Sequence, residues 1–217
     1  MAFSAANGAV TQAWTGATTA TLVTFWFKSS ASTSNMNLAA RSSNLSSASG
    51  WNIYFRTTTR ILEFNGKSGT TARISFASTR TGLTDGAWHH VLLAIDYGSG
   101  TTTSLYLDGV LEASGVSSGT WGGNGSSQYF GTSSDGFWGV YTGYLAECAG
   151  ASHPGVTADV AAYAAALYAG FTPPRVFGSR MHAYMPGLGV NQNIANSTNS
   201  VIQGTVTTVA DYPRRIG

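Results

Sequence analysis

Charge is what this chain has least of. Only 11 of its 217 residues are Lys or Arg and 9 are Asp or Glu, 9% in all, against about 25% for an average soluble domain. Lysine is reduced to Lys28 and Lys67. A disordered chain combines high net charge with low hydrophobicity, whereas here the net charge is +2 and 43% of residues are hydrophobic, which excludes that class. The scarcity of Glu, Lys, Arg and Leu excludes a coiled coil or helical bundle. The basic residues are scattered, with Arg214–Arg215 the one adjacent pair, so no element offers a nucleic-acid footprint. Cysteine is nearly absent too. The single Cys148 rules out an intramolecular disulfide framework or a multi-cysteine zinc site and reads as a small buried hydrophobe. No apolar run approaches the roughly 18 residues of a membrane span. Met1-Ala2-Phe3-Ser4-Ala5 lacks a basic region leading into an apolar one. The expectation is a protein made in a cytoplasm, without a secretion signal and without a membrane partner.

What the chain does have is glycine, 27 residues, and hydroxyls, with Ser and Thr forming about a quarter of it. These turn formers punctuate short apolar runs. Thr21 to Phe27 is β-branched and aromatic, apolar on both faces, as a strand inside a sandwich requires. Trp51-Asn52-Ile53-Tyr54-Phe55-Arg56 alternates and places Trp51, Ile53 and Phe55 on one face. Asn65-Gly66, after Arg60 to Phe64, offers the residues of a tight hairpin turn, and Thr71 to Phe76 continues the period of two. Trp88 to Asp96 reads as a central strand, and Asp108-Gly109 joins Ser104–Leu107 to Val110–Ala113 as a hairpin. Further strands are expected over residues 128–131 and 137–149.

One helix is predicted. Thr157 can cap it, Asp159 complements its positive end, and Val160, Tyr163, Ala164, Leu167 and Tyr168 form its apolar face. Gly170 suits its end, and Pro173-Pro174 prevents it from resuming. Many short strands with one short late helix predict an all-β, two-sheet antiparallel β-sandwich. The expected organisation is a sandwich over residues 1–171 and a C-terminal extension, 172–217, packing on the sandwich or on a neighbouring subunit.

The order of motifs resembles a laminin-G-like domain of the concanavalin A-like (jelly-roll) superfamily. Thr24-Phe25-Trp26-Phe27-Lys28 resembles its early strand. Asp85-Gly86-Ala87-Trp88-His89-His90-Val91 and Ser104-Leu105-Tyr106-Leu107-Asp108-Gly109-Val110 resemble its W-H-H-V … L-Y-V-D-G hairpin pair. Gly143-Tyr144-Leu145-Ala146-Glu147 and Ala166-Leu167-Tyr168-Ala169-Gly170 resemble its closing segment, with Ala146 where the family has an acidic residue. The resemblance covers about residues 20–170 and implies a jelly roll. Some relatives hold calcium at the rim. No acidic pair here maps onto that site, so no cofactor is expected and calcium alone is left open. More loosely, Met181 to Gly187 and Gly204 to Arg214 resemble the tail that follows such domains in tailed-bacteriophage virion proteins.

Glucanases of this superfold carry two glutamates and an aspartate on one strand, so that alternate carboxylates share a face. Here Glu63, Glu112 and Glu147 fall on three predicted strands, and no catalytic residue is expected. His89 and His90 point to opposite faces of a strand and cannot chelate one ion together. One is expected in the core, the other paired or solvated. Neither a nucleophile elbow, a phosphate loop nor a dinucleotide fingerprint is present. Trp14, Trp26, Trp51 and Trp88 read as core. Trp121 in a glycine loop, with Trp138 and Tyr141 near Asp135-Gly136, are the candidate contact residues, able to stack on a sugar, anchor a protein neighbour or pack loops.

These readings predict a non-enzymatic virion structural protein, a bacteriophage capsid decoration or tail-associated subunit. It would act through surface burial against capsid or tail proteins or copies of itself. The alternative is a carbohydrate-binding module or adhesin for a host glycan.

Overall fold

The most apolar run of the sequence becomes its most deeply buried strand, because it is covered on both faces. In this computed structural model the described residues are 2–3, 9–13, 20–30, 35–42, 49–56, 58–122, 127–131, 139–185, 201–203 and 206–207. The strands are β1 (Ala2–Phe3), β2 (Ala9–Ala13), β3 (Ala20–Lys28), β4 (Met36–Ser42), β5 (Gly50–Arg56), β6 (Ile61–Ser68), β7 (Thr71–Ala77) and β8 (Trp88–Asp96). They continue with β9 (Thr102–Leu107), β10 (Val110–Val116), β11 (Ser127–Phe130), β12 (Gly139–Val140), β13 (Gly143–Ser152), β14 (Met181–Met185), β15 (Val201–Gln203) and β16 (Val206–Thr207). Helices α1 (Thr157–Tyr168) and α2 (Pro173–Phe177), then a short 3-10 turn (Gly178–Arg180), lie between β13 and β14.

One sheet runs β10-β9-β8-β3-β13-β1-β16, with β14 also on β13; the other runs β15-β2-β11-β4-β5-β6-β7, with β12 beside β4. Antiparallel pairing prevails and only β12 runs parallel to its neighbour among the described strands. This is the two-sheet jelly-roll sandwich that the alternation and the turns predict. Between the sheets, Val23, Phe25 and Phe27 of β3 meet Trp51, Ile53 and Phe55 of β5, Leu62 and Phe64 of β6, and Val91, Leu93 and Ile95 of β8. On the outer side of the β3 sheet, Leu22, Leu92, Ala94 and Tyr106 pack beneath Val160, Ala164 and Leu167 of α1. Full burial of each such Leu, Ile or Phe contributes roughly 1.5–3 kcal/mol, and β3 collects it from both directions.

Several local expectations are overridden. Asn65-Gly66 is not a turn: β6 runs on to Ser68, and the chain reverses at Gly69-Thr70, between the paired Ser68 and Thr71. Gly66 serves another purpose, since a Cβ there would lie 2.6 Å from two ring atoms of Trp121. Val156, not Thr157, is the N-cap of α1 and makes no side-chain cap bond. The helix end matches expectation, with Phe171 N–H on the Ala166 carbonyl at 3.1 Å and Gly170 N–H on that of Leu167 at 3.0 Å. Pro173 does not stop helix formation but opens α2, where its fixed φ and missing N–H are harmless. Residues 173–185 join the sandwich directly, because β14 pairs with β13 in the register Cys148 to Met185. Strands β15 and β16 extend the two sheets along β2 and β1.

Gly66→Ala is expected to lower unfolding stability by about 1–3 kcal/mol through overpacking against Trp121. An unhindered Gly-to-Ala change in a strand raises stability by roughly 0.5–1 kcal/mol. Urea unfolding decides the sign.

Candidate functional site

The three candidate rings do not form an exposed platform. Trp121 is 3% and Tyr141 0% exposed, so of the three roles open to them these two rings pack inside the sandwich; Trp138 lies outside the described residues. The loop after β10 folds back across the sandwich end. The Trp121 backbone N–H donates to the Tyr97 carbonyl at 2.9 Å, and the indole ring sits edge-on to Tyr97 at 4.9 Å and to Phe64 at 6.1 Å. Tyr141 stacks on Phe55 at 6.5 Å. The glycine-rich surroundings that suggested exposure instead leave room for the rings to enter. Trp26 and Trp51 are core as expected, Trp88 is half-buried against Tyr144, and Trp14 lies outside the described residues.

The family-like histidine–aspartate signature builds a charged fastening. Asp108 and Gly109 form the β9–β10 turn with φ of +52° and +82°, the two left-handed residues of a tight hairpin. One Asp108 oxygen accepts the His90 backbone N–H at 2.8 Å; the other meets His89 Nδ1 at 3.0 Å and accepts from Arg80 Nη1 at 2.5 Å. His89 Nε2 lies 3.2 Å from an Asp85 oxygen, so the imidazole bridges two carboxylates. Beside it, Glu112 accepts from Thr79 N, Thr79 Oγ1 and Arg80 N at 2.7–2.8 Å. His90 is the core histidine. The Thr24 hydroxyl donates to the Val91 carbonyl at 2.9 Å, so His90 Nε2, 2.8 Å from the same oxygen, carries the proton. Burial lowers its pKa to about 3, and it stays neutral.

These groups are committed to structure. Calcium seeks several carboxylate oxygens, yet Asp85 and Asp108 are both engaged with His89. Among the described residues no three His, Cys, Asp or Glu side chains form a metal-binding group, and no helix is long and apolar enough to cross a membrane. Glu147 sits in a β13 bulge at φ +52° and accepts from the Tyr184 hydroxyl at 2.7 Å, tying β14 to the sandwich. Cys148 is buried, and desolvation pushes its thiol pKa up, consistent with an inert side chain.

Two further groups were not singled out by sequence reasoning: a polar network in which Asn37, Asn52 and Tyr54 are buried, Glu63 and Asn65 are partly exposed and Arg56 is exposed, and an exposed apolar group. On the face of the β5 sheet turned away from the core, Asn52 donates to Asn37 at 3.3 Å and Asn65 to Tyr54 Oη at 3.3 Å. The Tyr54 hydroxyl donates to Glu63, which pairs with Arg56 at 3.0 Å. The same alternation that put Trp51, Ile53 and Phe55 inward implied this polar face. On the other side of the molecule lie Val110, Leu111, Val116, Val156, Tyr168 and Phe171, all 43–65% exposed. They sit on β10 and at the two ends of α1.

Burial opposes charge on His89, but Asp108 and Asp85 outweigh it and raise its pKa. The folded state therefore favours protonated His89. Its stabilisation is complete below the unfolded value of about 6.5 and is lost as pH rises through the raised folded value. His90, His153 and His182 are shifted down, first by burial, and act in the opposite sense. The stability difference between the wild type and His89→Gln isolates the effect. It is expected to shrink from weakly acidic to alkaline pH in urea titrations, and a pH-independent difference would refute the bridge.

A family profile described as the concanavalin A-like lectin/glucanases superfamily, of laminin G type, matches residues 4–154. No curated protein matches the chain. Among solved structures, the chain is similar to a Bacteroides ovatus ATCC 8483 protein described as carbohydrate-binding, with TM-score 0.71, 16% identity, and 98% of this chain and 60% of that one covered. It is similar to the enzymatically active domain of bacteriophage CBA120 tailspike protein 2, with TM-score 0.61, 12% identity and coverage of 82% and 28%. The LG1-3 region of the laminin alpha2 chain gives TM-score 0.54, 15% identity and coverage of 69% and 30%. The chain thus spans 60% or less of the length of these structures, and at such identities the likeness is one of fold. The signature residues, the sandwich and the profile agree: this chain belongs to the laminin-G-like branch of the concanavalin A-like lectin/glucanases superfamily.

Proposed function

We propose that the chain is a non-catalytic structural module of a bacteriophage particle, a capsid decoration or tail-associated subunit that works by burying surface against protein neighbours. The observation that carries this reading is that the large apolar residues exposed among the described residues all lie on β10 or at the ends of α1. Burying a Val, Leu or Phe side chain contributes roughly 1.5–3 kcal/mol, and the low charge of the chain keeps the opposing desolvation small. The resemblance of Met181 to Gly187 and Gly204 to Arg214 to phage virion tails and the likeness to a tailspike domain support the particle as the setting. Val110→Lys combined with Leu111→Glu is expected to reduce co-sedimentation with purified particles at least tenfold while leaving the unfolding midpoint near that of the wild type. Unchanged co-sedimentation would remove β10 from the contact.

A second reading is carbohydrate binding on the polar face of β5 and β6. The exposed Arg56 and the partly exposed Glu63 and Asn65, held from beneath by the buried Tyr54, suit the hydroxyls of a sugar, and the Bacteroides ovatus likeness supports it. Arg56→Ala with Asn65→Ala is expected to abolish binding on a glycan array. The β10 substitutions are expected to leave that binding intact.

A further inference from the structure

α1 turns Val160, Ala164 and Leu167 toward the sheet, so its opposite face carries Ala158, Ala162, Ala165 and Ala169, spaced i, i+4, i+7 and i+11. All four are exposed. A solvated helix face is ordinarily lined with charged residues; this seam has none. We infer that it is an interface between two copies of this chain, with α1 packed antiparallel to the partner copy's α1 about a two-fold axis. The inference rests on the reading of a module that acts through surface burial, and it names one partner for that surface.

The ends of the seam support both the occupant and the orientation. Among the described carboxylates, Asp159 alone has no hydrogen-bond or ion-pair partner, and it is exposed beside the start of α1. Past the other end, the exposed Arg175 guanidinium rests 4.6 Å above the Phe171 ring and makes no ion pair. Antiparallel pairing carries the Asp159 end of each copy to the Arg175 end of the other, twice by symmetry. It likewise brings exposed Val156 at one end toward exposed Tyr168 and Phe171 at the other. The helix dipoles oppose favourably in this arrangement. A parallel pair would bring like charges and like dipole ends together. Alanine at the contact lets the axes approach to the short end of the usual range of roughly 8–10 Å. A polyanion or an anionic lipid surface fits poorly, since the seam has no cation along it.

Sedimentation velocity of the full chain over a micromolar dilution series is expected to show a reversible dimer. Ala162→Glu and Ala165→Lys, both exposed and so compatible with the fold, should each raise the dissociation constant at least about tenfold. Mixing the two variants should restore association, because the axis sets residue 162 of one copy against residue 165 of the other. Asp159→Arg and Arg175→Asp should each weaken the dimer and together recover it. A wild type that stays monomeric, or a dimer indifferent to Ala162→Glu, overturns the inference. A charge swap without recovery overturns the antiparallel orientation. Particle co-sedimentation by a chain that is monomeric overturns copy pairing alone, and a dimer that never binds particles overturns the proposed function alone.

Discussion

The structure hinges on the carboxylate of Asp108. Its two oxygens gather the backbone of the central strand β8, the His89 imidazole and the Arg80 guanidinium, so one side chain fastens the β9–β10 hairpin to the segment that enters β8. Asp108 itself holds a left-handed backbone conformation, an arrangement tolerated best by short polar residues that find hydrogen bonds nearby. The next residue, Gly109, passes close beneath Tyr168, whose ring in turn stacks on Trp26 at 5.8 Å. Through that chain of contacts, the fastening sets the position of β10 relative to α1. The C-terminal end of α1 and the start of β10, both carrying exposed apolar side chains, meet at Gly109 and Tyr168 beside the Asp108 turn.

Much of this was legible along the sequence wherever a local rule and the global fold agree. Alternation in Trp51 to Arg56 identifies the inward face of β5, and Asp108-Gly109 identifies a hairpin because nothing long-range competes for those residues. The failures have a common physical origin. Asn65-Gly66 can turn, but a distant ring, Trp121, needs the space that Gly66 leaves, and the strand continues. Trp121 and Tyr141 stand among glycines and turn residues that suggest a wet loop, yet rings of that size gain more from the sandwich interior than from water. α1 closes at Gly170, before Pro173-Pro174 is reached, and the fixed φ expected to forbid a further helix suits a new first turn instead. Local chemistry states what the backbone can do; packing selects among the permitted outcomes.

The scarcity of charge acquires a structural meaning once the partners are known. Glu63, Asp85, Asp96, Asp108, Glu112 and Glu147 are all held by hydrogen bonds or ion pairs within the chain. Few ionised groups exist, and nearly all the described carboxylates serve as internal fasteners. Satisfied polar groups of this kind specify a unique arrangement.

The exception is Asp159. A carboxylate beside the first turn of a helix is stabilised by the dipole, so its presence on α1 needs no partner to account for it. Its isolation is informative because it contrasts with every other described carboxylate. The same economy applies to Arg175, left stacked on a half-exposed ring rather than paired. Among the described residues Asp159 is the one carboxylate left without a partner, and Arg175, like Arg60 and Arg180, is a cation outside any ion pair; Asp159 and Arg175 lie toward opposite ends of an uncharged alanine face. Surface area that is cheap to desolvate and bounded by complementary charge is suited to association, and the fold presents it on the side away from the polar sheet face. The two faces of the sandwich are thereby chemically separated: hydrogen-bonding groups on one, apolar contact on the other.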